Sequence, residues 1–245
     1  KELYLQKYSN GIILAEAVLI ARKPYFLVSD SKGHITIRET LELEDQIIKP
    51  LEASMYMNLP YSFGLTHEVD SFIAKVREET KKTLYDKGET IAKKYVDADP
   101  VHISICVADT IFTYSQDLVG STHYLFFVGN NGSGKSNNLR PFQRLAYRNM
   151  MSTDITPANI YRFLGADVEG QGTLCEDEAD SIDLDSEKMR IYKNGYTANV
   201  KVMRSDSTNY GTKTQAFYTY CWKAFAAERL PDSLKAKGFN ERCIE

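Results

Sequence analysis

The chain has little that would mark a zinc protein, a disulfide scaffold or a membrane protein. Its four cysteines (Cys106, Cys175, Cys221, Cys243) lie far apart with no CxxC pair, and its four histidines are scattered among them. That excludes a zinc-ligand spacing and a disulfide framework, and suits a reducing cytoplasm. No apolar run approaches bilayer length, no signal-peptide pattern opens the chain, and no low-complexity tract or internal repeat interrupts it. Nor is one charge in excess: the formal net charge of −3 is no footprint for general nucleic-acid binding. The remaining composition, 43% hydrophobic, 26% charged and 11% aromatic, is ordinary for a globular protein, and 245 residues allow one large domain or two. The chain begins at Lys1 rather than Met and is expected to be a fragment.

What is present is concentrated in one stretch. Tyr124-Leu-Phe-Phe-Val-Gly-Asn-Asn-Gly-Ser-Gly-Lys-Ser136 runs a short apolar segment into GNNGSGKS, a full match to GxxxxGK[ST]. Leu125 to Val128 read as a buried strand, and Gly129, Gly132 and Gly134 let the chain bend until backbone N–H groups surround the phosphates of a nucleotide. Lys135 would place a point charge at the β and γ phosphates, and the Ser136 hydroxyl would ligate Mg2+. The expected contact set is Gly129, Asn130, Asn131, Gly132, Ser133, Gly134, Lys135, Ser136 and Asn137. A helix from Asn138 to Tyr147 is expected next, and this strand, loop and helix context separates the motif from a chance glycine-rich turn.

A second stretch, Gly172-Thr-Leu-Cys-Glu-Asp-Glu-Ala-Asp180, ends a short run in acid. Read as a Walker B strand, it puts Asp177 on the metal and Glu178 beside it as the base that orients an attacking water. Its ending looks like the DEAD type. Glu176 departs from the pattern, because the residue before the metal carboxylate lies in a strand buried on both faces and is expected to be apolar. The competing reading is an acidic surface loop, since residues 165 to 187 contain many carboxylates and no Lys or Arg. The interval from Lys135 to Asp177 accommodates a helix, a strand from Asn149 to Asp154, a helix from Pro157 to Leu164, and the acidic strand.

That compact order resembles AAA+ and RecA-like ATPases. The words NGSGKSN are also similar to the loop of ABC transporters and SMC proteins, but those carry an LSGG signature in a long lobe between the two Walker motifs, and no LSGG occurs here. The chain more closely resembles the AAA+ helicase-like ATPases found with virus, plasmid and archaeal primases, related to superfamily 3 and minichromosome-maintenance helicases. The resemblance covers about Pro100 to Glu245. It rests on a helix from His102 to Asp117, GNNGSGKS, Ser152-Thr-Asp-Ile-Thr-Pro157, Thr173 to Asp180, Met189 to Tyr196, and Leu230-Pro-Asp-Ser-Leu234 leading to Glu241-Arg-Cys-Ile244. It implies an α/β fold with a three-layer P-loop NTPase core, ATP and Mg2+ as cofactors, hydrolysis coupled to translocation on or unwinding of single- or double-stranded DNA, and a homo-oligomeric ring. In such a ring Arg242 looks like the arginine finger that reaches a neighbour's γ-phosphate; the alternative is a solvated arginine. A polar sensor residue is expected to end the strand after Asp177, within Gln215 to Ala227, where sequence does not separate Thr219 from Lys223. ATP is favoured by the resemblance, and no NKxD guanine-reading motif appears.

From Lys188 to Arg242 eleven basic residues face four acidic ones. Thr197 to Thr214 alternates imperfectly and is expected to form strands or a hairpin. The resembled helicases place basic hairpins in the ring pore, where cations track phosphates and aromatics stack on bases. Tyr196, Lys201, Arg204 and Tyr210 are the candidates, against a solvated basic face that balances the acidic stretch.

Residues 1–99 are expected to form a smaller α+β accessory domain without a catalytic constellation, and residues 100–245 the core, truncated at its C-terminal end. Tyr25 to Ser29 and His34 to Arg38 flank the turn Asp30-Ser-Lys-Gly33, and Leu14 to Ile20 is a third strand. Thr66 to Val96 keeps helical spacing, with Gly88 expected to break it into two helices, and Asp97-Ala-Asp-Pro100 marks the junction. Two further classes remain open: a nucleotide-dependent switch or assembly ATPase acting on a protein partner, and a small-molecule kinase.

Overall fold

Residues 2–52, 61–165, 172–182, 186–208 and 211–245 are described by the computed structural model. They form a mixed α/β protein with several sheets, one of them wholly parallel, and the chain divides into two units, Lys1–Lys81 and Lys82–Glu245.

The first unit contains β1 (Glu2–Leu5), β2 (Lys7–Ser9), β3 (Ile13–Ile20), β4 (Lys23–Asp30), β5 (Ile35–Arg38), β6 (Leu41–Leu43), β7 (Gln46–Pro50), β8 (Ser62–Phe63) and α1 (Thr66–Glu78). Strands β2 to β5 form an antiparallel meander, with β8 added parallel to β3, and β1, β7 and β6 form a second sheet. The expected turn after β4 is present: the Asp30 carboxylate accepts the N–H groups of Lys32 and His34, and Gly33 takes φ 79°. The β3–β4 turn is built from Ala21 and Arg22, both at positive φ, a pairing with no sequence signature because such turns favour Asn and Gly. Val18, Ile20 and Leu27 pack with Val69 of α1 to form this unit's core.

The second unit opens with α2 (Lys81–Tyr95), so the division falls ahead of the expected Asp97–Pro100 junction. Asp97 to Pro100 instead starts a helix: Asp99 caps α3 (Pro100–Phe112) by accepting from Val101 N–H, and Pro100 occupies its first turn. The break between α1 and α2 lies at Glu79, whose backbone is extended, and not at Gly88. Gly88 lies inside α2, where a Cβ would come within 2.9 Å of Val107 on α3; the glycine serves close helix packing.

A 3-10 segment (Thr113–Leu118) then leads to β9 (Tyr124–Val128), α4 (Lys135–Leu145), β10 (Asn149–Ser152), α5 (Pro157–Leu164), β11 (Thr173–Glu176), α6 (Ser186–Asn194), β12 (Lys201–Thr208), β13 (Gly211–Tyr218), β14 (Lys223–Ala227), α7 (Ser233–Asn240) and β15 (Cys243–Ile244). The parallel sheet runs β10-β11-β14-β9-β15. Side-chain alternation sorts its two faces. Phe126 and Phe225 pack with Ile160, Tyr192 and Phe239 from α5, α6 and α7, while Leu125, Ala224 and Ala226 pack with Ala92, Val107 and Phe142 from α2, α3 and α4.

The edge of the sheet where its strands begin is pinned by buried polar groups. Gln116 Nε2 donates to the Gly172 carbonyl at 2.9 Å, and Gln116 Oε1 accepts Trp222 N–H at 2.6 Å, which ties the approaches to β11 and β14 together. His123 Nε2 lies 2.8 Å from Asp109 Oδ2, which also accepts Trp222 Nε1–H. The hydrogen bond to Asp109 holds the His123 imidazolium above the ordinary 6.5, against the lowering effect of partial burial. A raised histidine value stabilises the fold most below 6.5, and that contribution disappears as pH rises through the folded-state value. Urea midpoints of the wild type and His123→Gln should therefore differ more at pH 5.5 than at pH 9; a gap that does not narrow with rising pH contradicts this role.

Candidate functional site

At the end of β9 the chain turns so tightly that side chains would collide. A Cβ on Gly129 would meet Ser133 Oγ at 2.5 Å, and Gly132 and Gly134 take φ 78° and 87°. Gly129 N–H donates to the Ala227 carbonyl at the end of β14, while Asn130 O accepts both Ser133 N–H at 3.1 Å and the Lys135 ammonium at 3.2 Å. Gly134 is the N-cap and offers no side-chain cap, so α4 begins at Lys135, three residues before the expected start. Lys135, Ser136 and Asn137 therefore lie in the first turn, where N–H groups have no carbonyl partner within the helix and its dipole is positive.

The acidic stretch is no surface loop at its strand. All four residues of β11 are buried, between β10 and β14. Glu176 fits this interior because α6 supplies its partners: Lys188 Nζ lies 2.7 Å from Oε1, and the Tyr192 hydroxyl donates to Oε2 at 2.7 Å. Lys188 also reaches Asp154 at 3.3 Å. Burial pushes the Glu176 carboxyl up, opposed by those hydrogen bonds and the Lys188 charge. Burial would likewise lower the Lys188 ammonium, but Glu176 and Asp154 outweigh it and hold it above its ordinary value.

One residue beyond the strand, Asp177 N–H donates to the Ser152 carbonyl, and Asp177 Oδ1 accepts both the Ser136 hydroxyl at 3.0 Å and Glu178 N–H at 3.1 Å. Glu178 is exposed and left-handed, with φ 56° and ψ 42°, a conformation that costs a non-glycine residue on the order of 1–3 kcal/mol. The cavity bounded by the loop and the ends of β11 and β14 has a volume of 590 Å³ and is lined by Lys135, Ser136, Asp177, Glu178, Asp180 and Glu228, among others. Ser136 and Asp177 are hard oxygen donors at a spacing that suits Mg2+, an ion that keeps most of its shell as water and substrate phosphate. Among the described residues no three His, Cys, Asp or Glu side chains gather as a ready-made metal cage.

Glu228 escaped the sequence reading. It is the first polar residue after the buried run of β14 and lies at the loop end of that strand, its N–H bonded to Asp180 Oδ1 at 2.7 Å. The change from buried apolar to exposed acid was its available signal. Thr219 and Lys223 precede the strand or open it, at the opposite end, and are no sensors for this cavity. The Lys223 ammonium is fully buried, lowered by that burial, and donates to the carbonyls of Gly195, Thr219 and Cys221.

Arg242 immediately precedes β15, and its carbonyl accepts Tyr124 N–H, which places it at the opposite edge of the sheet from the glycine loop of its own chain. It is not simply solvated. Its guanidinium lies 3.7 Å from the centre of the Tyr196 ring, and that covers the aromatic expected to stack on bases. The expected hairpin is present as antiparallel β12 and β13. Lys201 is exposed and sits over Tyr218, whereas Arg204, three residues on and so on the opposite face, is half-buried against Tyr161. Tyr210 lies outside the described residues. Lys201, Arg204 and Tyr196 thus do not make one strip.

No family model matches the chain, and no curated protein matches it.

Lys188→Met leaves the Glu176 charge buried and unpaired, and should destabilise the protein by about 3–5 kcal/mol in urea unfolding. Adding Glu176→Gln should recover most of that loss. A single variant as stable as wild type removes the ion pair from the account.

Proposed function

We propose that this chain is a magnesium-dependent ATPase with a P-loop NTPase core of AAA+ type, working as a nucleic-acid translocase or helicase-like motor. The hydrogen bond between Ser136 and Asp177 carries the reading, because it brings the hydroxyl of the phosphate-loop motif to the carboxylate of the acidic strand. The parallel sheet, with one strand between those two, and the cavity shared by Lys135, Ser136, Asp177 and Glu178 support it.

On this reading the first-turn N–H groups and the loop backbone cradle the triphosphate, and Lys135 exchanges the Asn130 carbonyl for phosphate oxygens. Ser136 and Asp177 would hold Mg2+, which would supply positive charge against the phosphates. Glu178, held at the cavity mouth by its left-handed backbone, accepts a hydrogen bond from the attacking water and orients it. Glu228, whose backbone N–H is bonded to Asp180, would serve as the polar sensor. Arg242, at the other end of the sheet from its own loop, would serve a neighbour's site and must leave Tyr196 to do so, which makes hydrolysis depend on a homo-oligomeric ring. The β12–β13 hairpin offers Lys201 to a DNA backbone. Four free thiols and the lack, among the described residues, of a helix long and apolar enough to cross a membrane accord with a cytoplasmic setting.

A second reading, a nucleotide-dependent switch acting on a protein partner, is favoured by one observation: Lys201 and Arg204 face opposite ways, and Arg204 is committed to Tyr161.

Turnover separates these readings. Glu178→Gln should lower kcat by about 10²–10⁴-fold with ATP binding retained. Wild-type activity should rise more steeply than protein concentration and increase with single-stranded DNA. Unchanged turnover in Glu178→Gln sinks the hydrolytic assignment, and indifference to DNA selects the switch.

A further inference from the structure

Beside the acidic cavity lies a second one of 320 Å³, displaced toward β15, and Lys135 lines both. Its walls are apolar: Val96 after α2, Ile103 and Cys106 from α3, Phe127 from β9, and Phe142 from α4. Burial pushes the Cys106 thiol up to about 12, so this wall carries no charge. Polar groups gather near the loop and the mouth, with Ser133 and Asn138 beside the loop and His102 on the exposed first turn of α3. Glu245, exposed, is the only carboxylate among the described residues lining it.

A compartment lined by the glycine loop and the first turn of α4, joined through one lysine to a compact apolar one, suits a molecule with a polyphosphate at one end and a flat ring at the other. The volume falls at the small end of ordinary ligand pockets. Adenine and guanine differ at position 6 by an amino donor against an oxo acceptor, and strong selection between them requires a buried group of fixed polarity. Apolar pockets discriminate weakly, whereas sites built to hydrogen-bond a substrate reject the wrong partner by about 10⁴–10⁵. His102 and Asn138 both offer a donor and an acceptor, so neither imposes one polarity.

We propose that this cavity takes the nucleobase and holds a purine by fit and apolar contact without reading its edge, so that ATP and GTP are accepted alike. The proposal rests on the phosphate-loop reading given under Proposed function, and inorganic tripolyphosphate, which has no base, tells the two apart.

The experiment is equilibrium binding of ATP, GTP and tripolyphosphate, each with Mg2+, to the whole chain and to Ala98→Trp, which places an indole at the exposed mouth. Wild-type Kd values for ATP and GTP should agree within tenfold, and both should be at least tenfold tighter than for tripolyphosphate. Ala98→Trp should weaken both nucleotides at least tenfold and leave tripolyphosphate within twofold of wild type, which also reports an intact fold. If tripolyphosphate binding is lost in that variant, His102→Trp at the same mouth is read in its place. A preference beyond tenfold between ATP and GTP overturns the tolerance. Nucleotides no tighter than tripolyphosphate, or unaffected by the indole, overturn the cavity assignment. Failure of the wild type to bind tripolyphosphate removes the phosphate-loop reading, and this proposal with it.

Discussion

One lateral distance governs the candidate site. Neighbouring strands stand about 4.7–4.9 Å apart, so with β14 between them β9 and β11 are separated by ~10 Å. A side chain in the first turn of α4 and a carboxylate just beyond β11 close that gap, and Ser136 and Asp177 meet at 3.0 Å. The composition of β14 suits its place: Ala224 and Ala226 admit α4 closely on one face, while Phe225 fills the other.

Fixing that distance requires both edges of the sheet to be held. At the edge where the strands begin, Gln116 joins the approaches to β11 and β14, and Asp109 engages His123 and Trp222. At the loop edge, Gly129 bonds Ala227 and Asp180 bonds Glu228. Glu176 adds a third tie, from the end of β11 to α6 through Lys188 and Tyr192. A buried acid next to the carboxylate of the candidate site would be costly if unpartnered; paired in this way it fixes where β11 stops and the exposed, strained residues begin.

Features set by neighbouring residues were legible in the sequence. The glycine pattern marked the loop, Thr156 and Pro157 marked the start of α5, and Asp30 with Gly33 marked a turn. Features set by distant partners were not. Glu176 looked out of place because its ammonium arrives from a later helix, and Gly88 looked like a breaker because Val107 lies beyond the next turn. Lys223 and Glu228 could be assigned only once the direction of β14 put one at each end. Lys201 and Arg204 looked like one basic strip until the pleat sent them to opposite faces.

The late position of β14 in the chain also governs when the pocket can exist. Its five residues occupy the middle of the sheet, yet they follow β9, β10, β11 and the whole β12–β13 ribbon in synthesis order. A chain emerging from the ribosome exposes the glycine loop and the acidic strand well before the strand that must slot between them, and such non-local closure is slow. Until Ala227 has emerged, the nascent protein holds both halves of the candidate site with nothing to set them at the right separation.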